Sequence, residues 1–121
     1  MELIEKVNII RQVRFETHVY FKNGFLEKVY ENTLMHRLLK RGLIVEQQYP
    51  IRVSDEDGFI VGHYVADLFV ENSIIIEIKT VKTLEDIHVA QLLAYLKASK
   101  IKHGILMNFG GQKFQIKKYI L

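Results

Sequence analysis

Cysteine is absent from the 121 residues, so neither a disulfide framework, a thiolate zinc site nor a cysteine nucleophile is available. A reducing, cytoplasmic setting is the expectation. Proline occurs once, and there is no Pro/Gly/Ser linker, internal repeat, low-complexity stretch or charge block, which argues against disorder. No apolar run, Ile74-Ile75-Ile76 included, approaches the roughly 20 residues of a membrane span. Met1 to Glu5 holds two acids where a signal peptide has a basic start, so no leader and no membrane partner are expected.

What is present is ordinary for a globular chain: 49% hydrophobic and 26% charged residues. The length suits one domain spanning 1–121 and is too short for two. The net charge is +3, a mild lean toward anionic partners. Lys97, Lys100, Lys102, Lys113, Lys117 and Lys118 crowd the last quarter. On charge alone, a solvated lysine surface is favoured over a nucleic-acid groove.

Leu3, Val7, Ile10 and Val13 recur at helical spacing and predict a helix to about Tyr20, stopped at Asn23-Gly24. A second helix carries Phe25, Val29, Leu34, Leu38 and Leu39 and ends at Arg41-Gly42. The period then changes to two. Strands are expected from Ile44 to Val53, with Pro50 at an edge or bulge, from Phe59 to Val70, and from Ile74 to Lys79. Val65 and Phe69 on one side, with Ala66, Leu68 and Val70 on the other, predict a sheet covered by helices. Thr83 is expected to cap a helix from Leu84 to about Ser99, whose core stripe is Val89, Leu92, Leu93 and Leu96. Strands from His103 to Phe109 and Lys113 to Tyr119 flank a Gly110-Gly111 turn. The fold class is therefore α/β, with the order α-α-β-β-β-α-β-β and two or three layers.

Chemistry concentrates around one turn. If Glu71-Asn72-Ser73 is a three-residue loop, Val70 faces Ile74 and Asp67 stands opposite Glu77. Directly opposed like charges repel at Cβ separations of about 5 Å, and here they lie among apolar residues. Lys79, two residues past Glu77, shares its face. One ammonium or a hard divalent cation such as Mg²⁺ or Ca²⁺ would relieve the pair. A shifted register would separate the acids, and a two-residue loop would put them on opposite faces.

Asp67, nine residues, then Glu77-Ile78-Lys79 resembles the signature of the PD-(D/E)XK nuclease superfamily. Gly24-Phe25-Leu26-Glu27-Lys28-Val29-Tyr30 is similar to the motif of its GxxExxY family, and Gln91-Leu92-Leu93-Ala94-Tyr95 to the Gln-x-x-x-Tyr motif of its exonuclease-like branch. The resemblance covers residues from about 5 to 119. It implies a restriction-endonuclease-like core, a mixed central sheet flanked by helices, and a Mg²⁺-dependent nuclease acting on DNA, with Mn²⁺ as substitute. It implies Asp67, Glu77 and the Ile78 carbonyl as metal ligands, with Glu27 as an additional one. Lys79 would serve the attacking water and the scissile phosphate; Gln91 and Tyr95, with His88 on their face, would touch phosphate or lysine. Two departures stand out: Ala66 precedes Asp67 where the family name has proline, and Lys22-Asn23 precedes Gly24.

Plainer roles compete. Glu27 also suits a helix N-terminus, and Tyr30 suits packing. His18, His36, His63 and His103 have no ligand spacing, and Gly110-Gly111 suits a hairpin turn. Two other readings of the whole are a non-catalytic nucleic-acid-binding or partner-dependent module, and a homodimer joined through the early helices.

Overall fold

The computed structural model describes residues 1–111 and 115–121. Its elements run α1 (Leu3–Phe21), α2 (Glu27–Lys40), β1 (Val45–Ser54), β2 (Ile60–Val70), β3 (Ile74–Lys79), α3 (Asp86–Ser99), β4 (His103–Asn108) and β5 (Gln115–Ile120). The five strands form one sheet in the order β1-β2-β3-β4-β5. Only β3 and β4 are parallel, joined by the crossover through α3; the other neighbours are antiparallel. The start expected for the last strand, Lys113, lies outside the described residues. Among these, no helix is long and apolar enough to cross a membrane.

Three layers result. Ile10 of α1 and Leu34 and Leu38 of α2 pack with Leu68, Ile76, Ile78 and Met107 on one sheet face. Leu92, Tyr95 and Leu96 of α3 pack with Phe69, Ile75 and Leu106 on the other. Both faces are covered, which is why β3 reads as nearly unbroken isoleucine.

Several expectations need correction. Phe25 precedes α2 and, like Leu39, is about half exposed. The third helix begins at Asp86 with Glu85 as its N-cap, so Thr83 caps nothing and Leu84 lies outside the helix. Leu84 is buried in the α3 core, with Val89 packed against the same cluster. That is the hydrophobic-staple arrangement of a residue before the cap with one in the first turn. Side-chain alternation along β2 also breaks: Ala66 joins the α3 side with Phe69, while Leu68 and Val70 face α1 and α2. The cause is visible opposite. Gln48 of β1 has φ 55, and the ladder passes from Gln47–Leu68 to Tyr49–Ala66 without a Gln48–Asp67 pair.

Candidate active site

The turn between β2 and β3 behaves as its length requires. Glu71 and Asn72 both adopt positive φ, and the register is Val70–Ile74, Phe69–Ile75, Leu68–Ile76. One step further Asp67 would meet Glu77, and there the β2–β3 ladder stops. Two carboxylates take over. The Asp67 N–H donates to Glu77 Oε2 at 2.7 Å, and the Ile78 N–H donates to Asp67 Oδ2 at 2.7 Å. Meanwhile β3 keeps pairing with β4 as far as Lys79–Asn108, and β2 resumes with β1 at Ala66. The strands thus fork, with both acids at the crotch.

Lys79, on the same face, donates to Gln91 Oε1 at 2.6 Å, and Gln91 Nε2 donates to the Tyr95 hydroxyl at 3.3 Å. Gln91 and Tyr95, four apart on α3, present one face to the lysine. His88 does not join them: its Nδ1 accepts from the Glu85 N–H at 2.9 Å and closes the helix cap. Glu27, first residue of α2, is half-buried within electrostatic reach of Asp67, Glu77 and Lys79. It is aimed by the preceding turn, where Gly24 has φ 110. The buried Tyr30 fastens that turn: its hydroxyl donates to the Lys22 carbonyl at 2.5 Å and accepts from the Phe25 N–H at 3.3 Å. Its ring stacks on Phe109 with centroids 4.4 Å apart.

Electrostatics mark the fork as short of positive charge. Burial, then the neighbouring Asp67 charge, pushes Glu77 up to about 8. Burial, with further contributions from Glu31 and Glu27, pushes Asp67 up to about 6. Burial followed by the Glu77 and Asp67 charges raises Tyr95, and burial likewise raises Glu27. Lys79 works to lower both acids, but burial outweighs it.

A divalent cation fits the donors present. Oδ1 of Asp67 and Oε1 of Glu77 take no hydrogen bond among the described residues, and both are hard oxygens. No three Asp, Glu or His side chains among the described residues stand close enough to enclose an ion, so Glu27 lies near the pair without completing a triad. Two carboxylates without a closed cage suit a hard divalent cation that keeps several waters in its shell.

Sequence reasoning missed Glu31. This residue is 2% exposed, and its carboxylate accepts from Lys28 Nζ, Gln47 Nε2 and Gln48 Nε2. Burial works to raise its pKa, but those hydrogen bonds prevail and leave it below the ordinary value. The available signal was Glu27 and Glu31 at i, i+4, a like-charge pair that needs a compensating reason. Asn108, wholly buried, was missed as well. Its side chain accepts from Val81 N–H and donates to the Val81 carbonyl, fixing the chain just past Lys79.

Comparison with known proteins agrees with the fold. The crystal structure of SSO0001 is similar, with a TM-score of 0.64 at 23% identity, over 93% of this chain and 62% of that one. At that identity the likeness concerns the fold, and this chain spans less than two thirds of the other's length. No curated protein matches. The family model of the PD-(D/E)XK nuclease superfamily matches residues 5–119, nearly the whole chain. The chain belongs to the PD-(D/E)XK nuclease superfamily.

Proposed function

We propose that this protein is a divalent-metal-dependent nuclease, most at home with Mg²⁺ and accepting Mn²⁺, that hydrolyses phosphodiester bonds in DNA, and that it belongs to the GxxExxY group. The observation that carries the reading is the forked strand pair, with Asp67, Glu77 and Lys79 converging where the ladder ends. When bound, a divalent cation supplies Lewis acidity toward a phosphate oxygen and a water. Asp67 and Glu77 would offer the oxygens that hold it, with the Ile78 carbonyl and Glu27 as further ligands. Lys79 provides a fixed positive charge where negative charge builds up on the phosphate. Gln91 holds the amine in place, and Tyr95 holds Gln91.

A second reading, a nucleic-acid-binding or partner-dependent module that keeps the fold, is favoured by one observation. Each acid satisfies the other strand's backbone N–H, which closes the fork without an ion. One experiment separates the two. Labelled DNA and RNA are incubated with purified protein and Mg²⁺ or Mn²⁺. The expected result is cleavage of DNA that falls about 10²–10³-fold in Lys79→Ala, with an unchanged melting temperature. If Lys79→Ala cuts as well as the parent, the nuclease reading is wrong. If Mn²⁺ raises the melting temperature of the parent, not of Asp67→Asn, and nothing is cut, the module reading replaces it.

A further inference from the structure

The β1–β2 hairpin extends past the sheet, and along this arm Phe59, Val61, Tyr64 and Val65 are exposed. Tyr64, paired across the hairpin with Ile51, differs from the others in what lies beneath it. Its ring lies over the Tyr95 ring, centroids 4.9 Å apart and planes 30° apart. Tyr95 is 8% exposed, and its hydroxyl is tied through Gln91 to Lys79. A chain of contacts therefore runs from the amine of the site outward to Tyr64, which is itself 41% exposed. The ring thus rests on protein while much of the side chain remains accessible.

Tyr64 also lines a groove of about 750 Å³ between the arm and α3. Ala94, Lys97 and Ala98 of α3, with Lys100 just past its end, form the opposite side. Ala94 is small and exposed, which leaves room for a backbone to pass, and both lysines are exposed on the same side. Asp55 and Glu56 line the same groove from the hairpin end and disfavour phosphate there, which leaves the stretch between Tyr64 and the lysines as the part suited to an anionic chain. A volume of this size matches about one drug-sized ligand, the scale of a short run of one strand rather than of a duplex. Base stacking on an aromatic ring likewise needs an unpaired base whose face is open.

We propose that this groove is the path of a single nucleic-acid strand toward the site, with Tyr64 as the platform for an unpaired base and Lys97 and Lys100 as phosphate contacts. The substrate class is then single-stranded or frayed nucleic acid. The proposal rests on the nuclease reading only for what happens beyond Tyr64, where the Tyr95 contact leads to the site.

The test is binding in metal-free buffer, read by fluorescence anisotropy, with short labelled DNA and RNA single strands and a hairpin duplex of matching sequence. The DNA and RNA arms show which sugar the path accepts. Single strands are expected to bind tighter than the duplex. Tyr64→Leu, which keeps an apolar cover on Tyr95 and removes the π face, is expected to weaken single-strand binding about tenfold, while Tyr64→Phe and Tyr64→Trp retain it. Lys97→Ala, at an exposed position, is expected to flatten the salt dependence by about 0.7 in the log–log slope. Equal binding by Tyr64→Leu and the parent, or a preference for the duplex, overturns the proposal. Its failure is distinct from that of the nuclease reading. Tyr64-dependent binding without cleavage removes the nuclease and keeps the path. Lys79-dependent cleavage with Tyr64→Leu binding like the parent removes the path and keeps the nuclease.

Discussion

Gln91 holds two partners with opposite needs. The Lys79 ammonium can only donate, so it fixes the Gln91 oxygen toward itself and turns the amide nitrogen to the Tyr95 hydroxyl. Without that acceptor the four-carbon lysine stem is free to swing, and small misplacements of a catalytic group are expensive. Gln91→Leu is therefore expected to lower kcat/KM about 10²-fold and to leave the melting temperature nearly unchanged, since Gln91 is only half-buried at the rim. Steady-state kinetics beside thermal melts check both halves. Asp67, Glu77 and Lys79 were legible because strand parity and loop length are local rules; Gln91 and Tyr95 were singled out by their resemblance to the Gln-x-x-x-Tyr motif, and i, i+4 spacing only put them on one helix face. Tyr64 was not legible, and for Glu31 the i, i+4 pairing with Glu27 marked the residue without showing where it lands. Their approach to the site depends on where α2 lands on the sheet and on the facing reversal between Ala66 and Leu68, and no spacing in the chain encodes either. His88 shares the face of Gln91 by spacing, yet the helix cap claims its ring.

Between elements, the most sensitive contact is where the ends of β3 and β4 run side by side. Phe109 N–H donates to the Lys79 carbonyl, and the next residue, Gly110, passes against Thr80 and Val81. A Cβ added at Gly110 would lie 2.5 Å from the Thr80 carbonyl carbon and 2.6 Å from Val81 N and O. All three are backbone atoms, which cannot rotate out of the way. Gly110→Ala is expected to destabilise the protein by about 3 kcal/mol, the upper range for overpacking, or roughly 10 °C in melting temperature. It should also lower activity, because the strained segment directly follows Lys79. Denaturation by urea and by heat measures the first effect, cleavage of DNA the second. An alanine variant as stable as the parent would contradict the close approach. The sequence placed a turn at Gly110-Gly111; the close approach that calls for glycine there is a long-range contact set by the parallel β3–β4 register. The same distinction holds elsewhere. Element order followed from periodicity, whereas the start of α3 moved because Leu84 is drawn into the core ahead of the helix.

Across the whole molecule, the buried pair makes stability depend on pH with a definite sign. Glu77 titrates at about 8 in the fold and at an ordinary 4.5 when unfolded. Between these values the unfolded chain is ionised and the folded one is protonated, so folding takes up a proton. The stabilisation belongs to low pH and is lost as pH rises through about 8. Asp67 acts in the same sense over a lower range, from an ordinary 3.8 to about 6. His18 and His103, both lowered by burial from an ordinary 6.5, act in the opposite sense below that value and mask the Asp67 range. The clean window therefore runs from about pH 7 to about pH 9. There the metal-free protein is expected to lose melting temperature as pH rises, and Glu77→Gln, which has no charge to bury, is expected to flatten the slope. A divalent cation competes with the same proton. Mn²⁺ should consequently raise the melting temperature more at the alkaline end of the window than at neutrality. Thermal melts of parent and Glu77→Gln, with and without Mn²⁺, give four curves. A metal-free parent whose stability rises with pH across the window would mean that Glu77 is already ionised in the fold. The fork would then hold its charges without needing an ion.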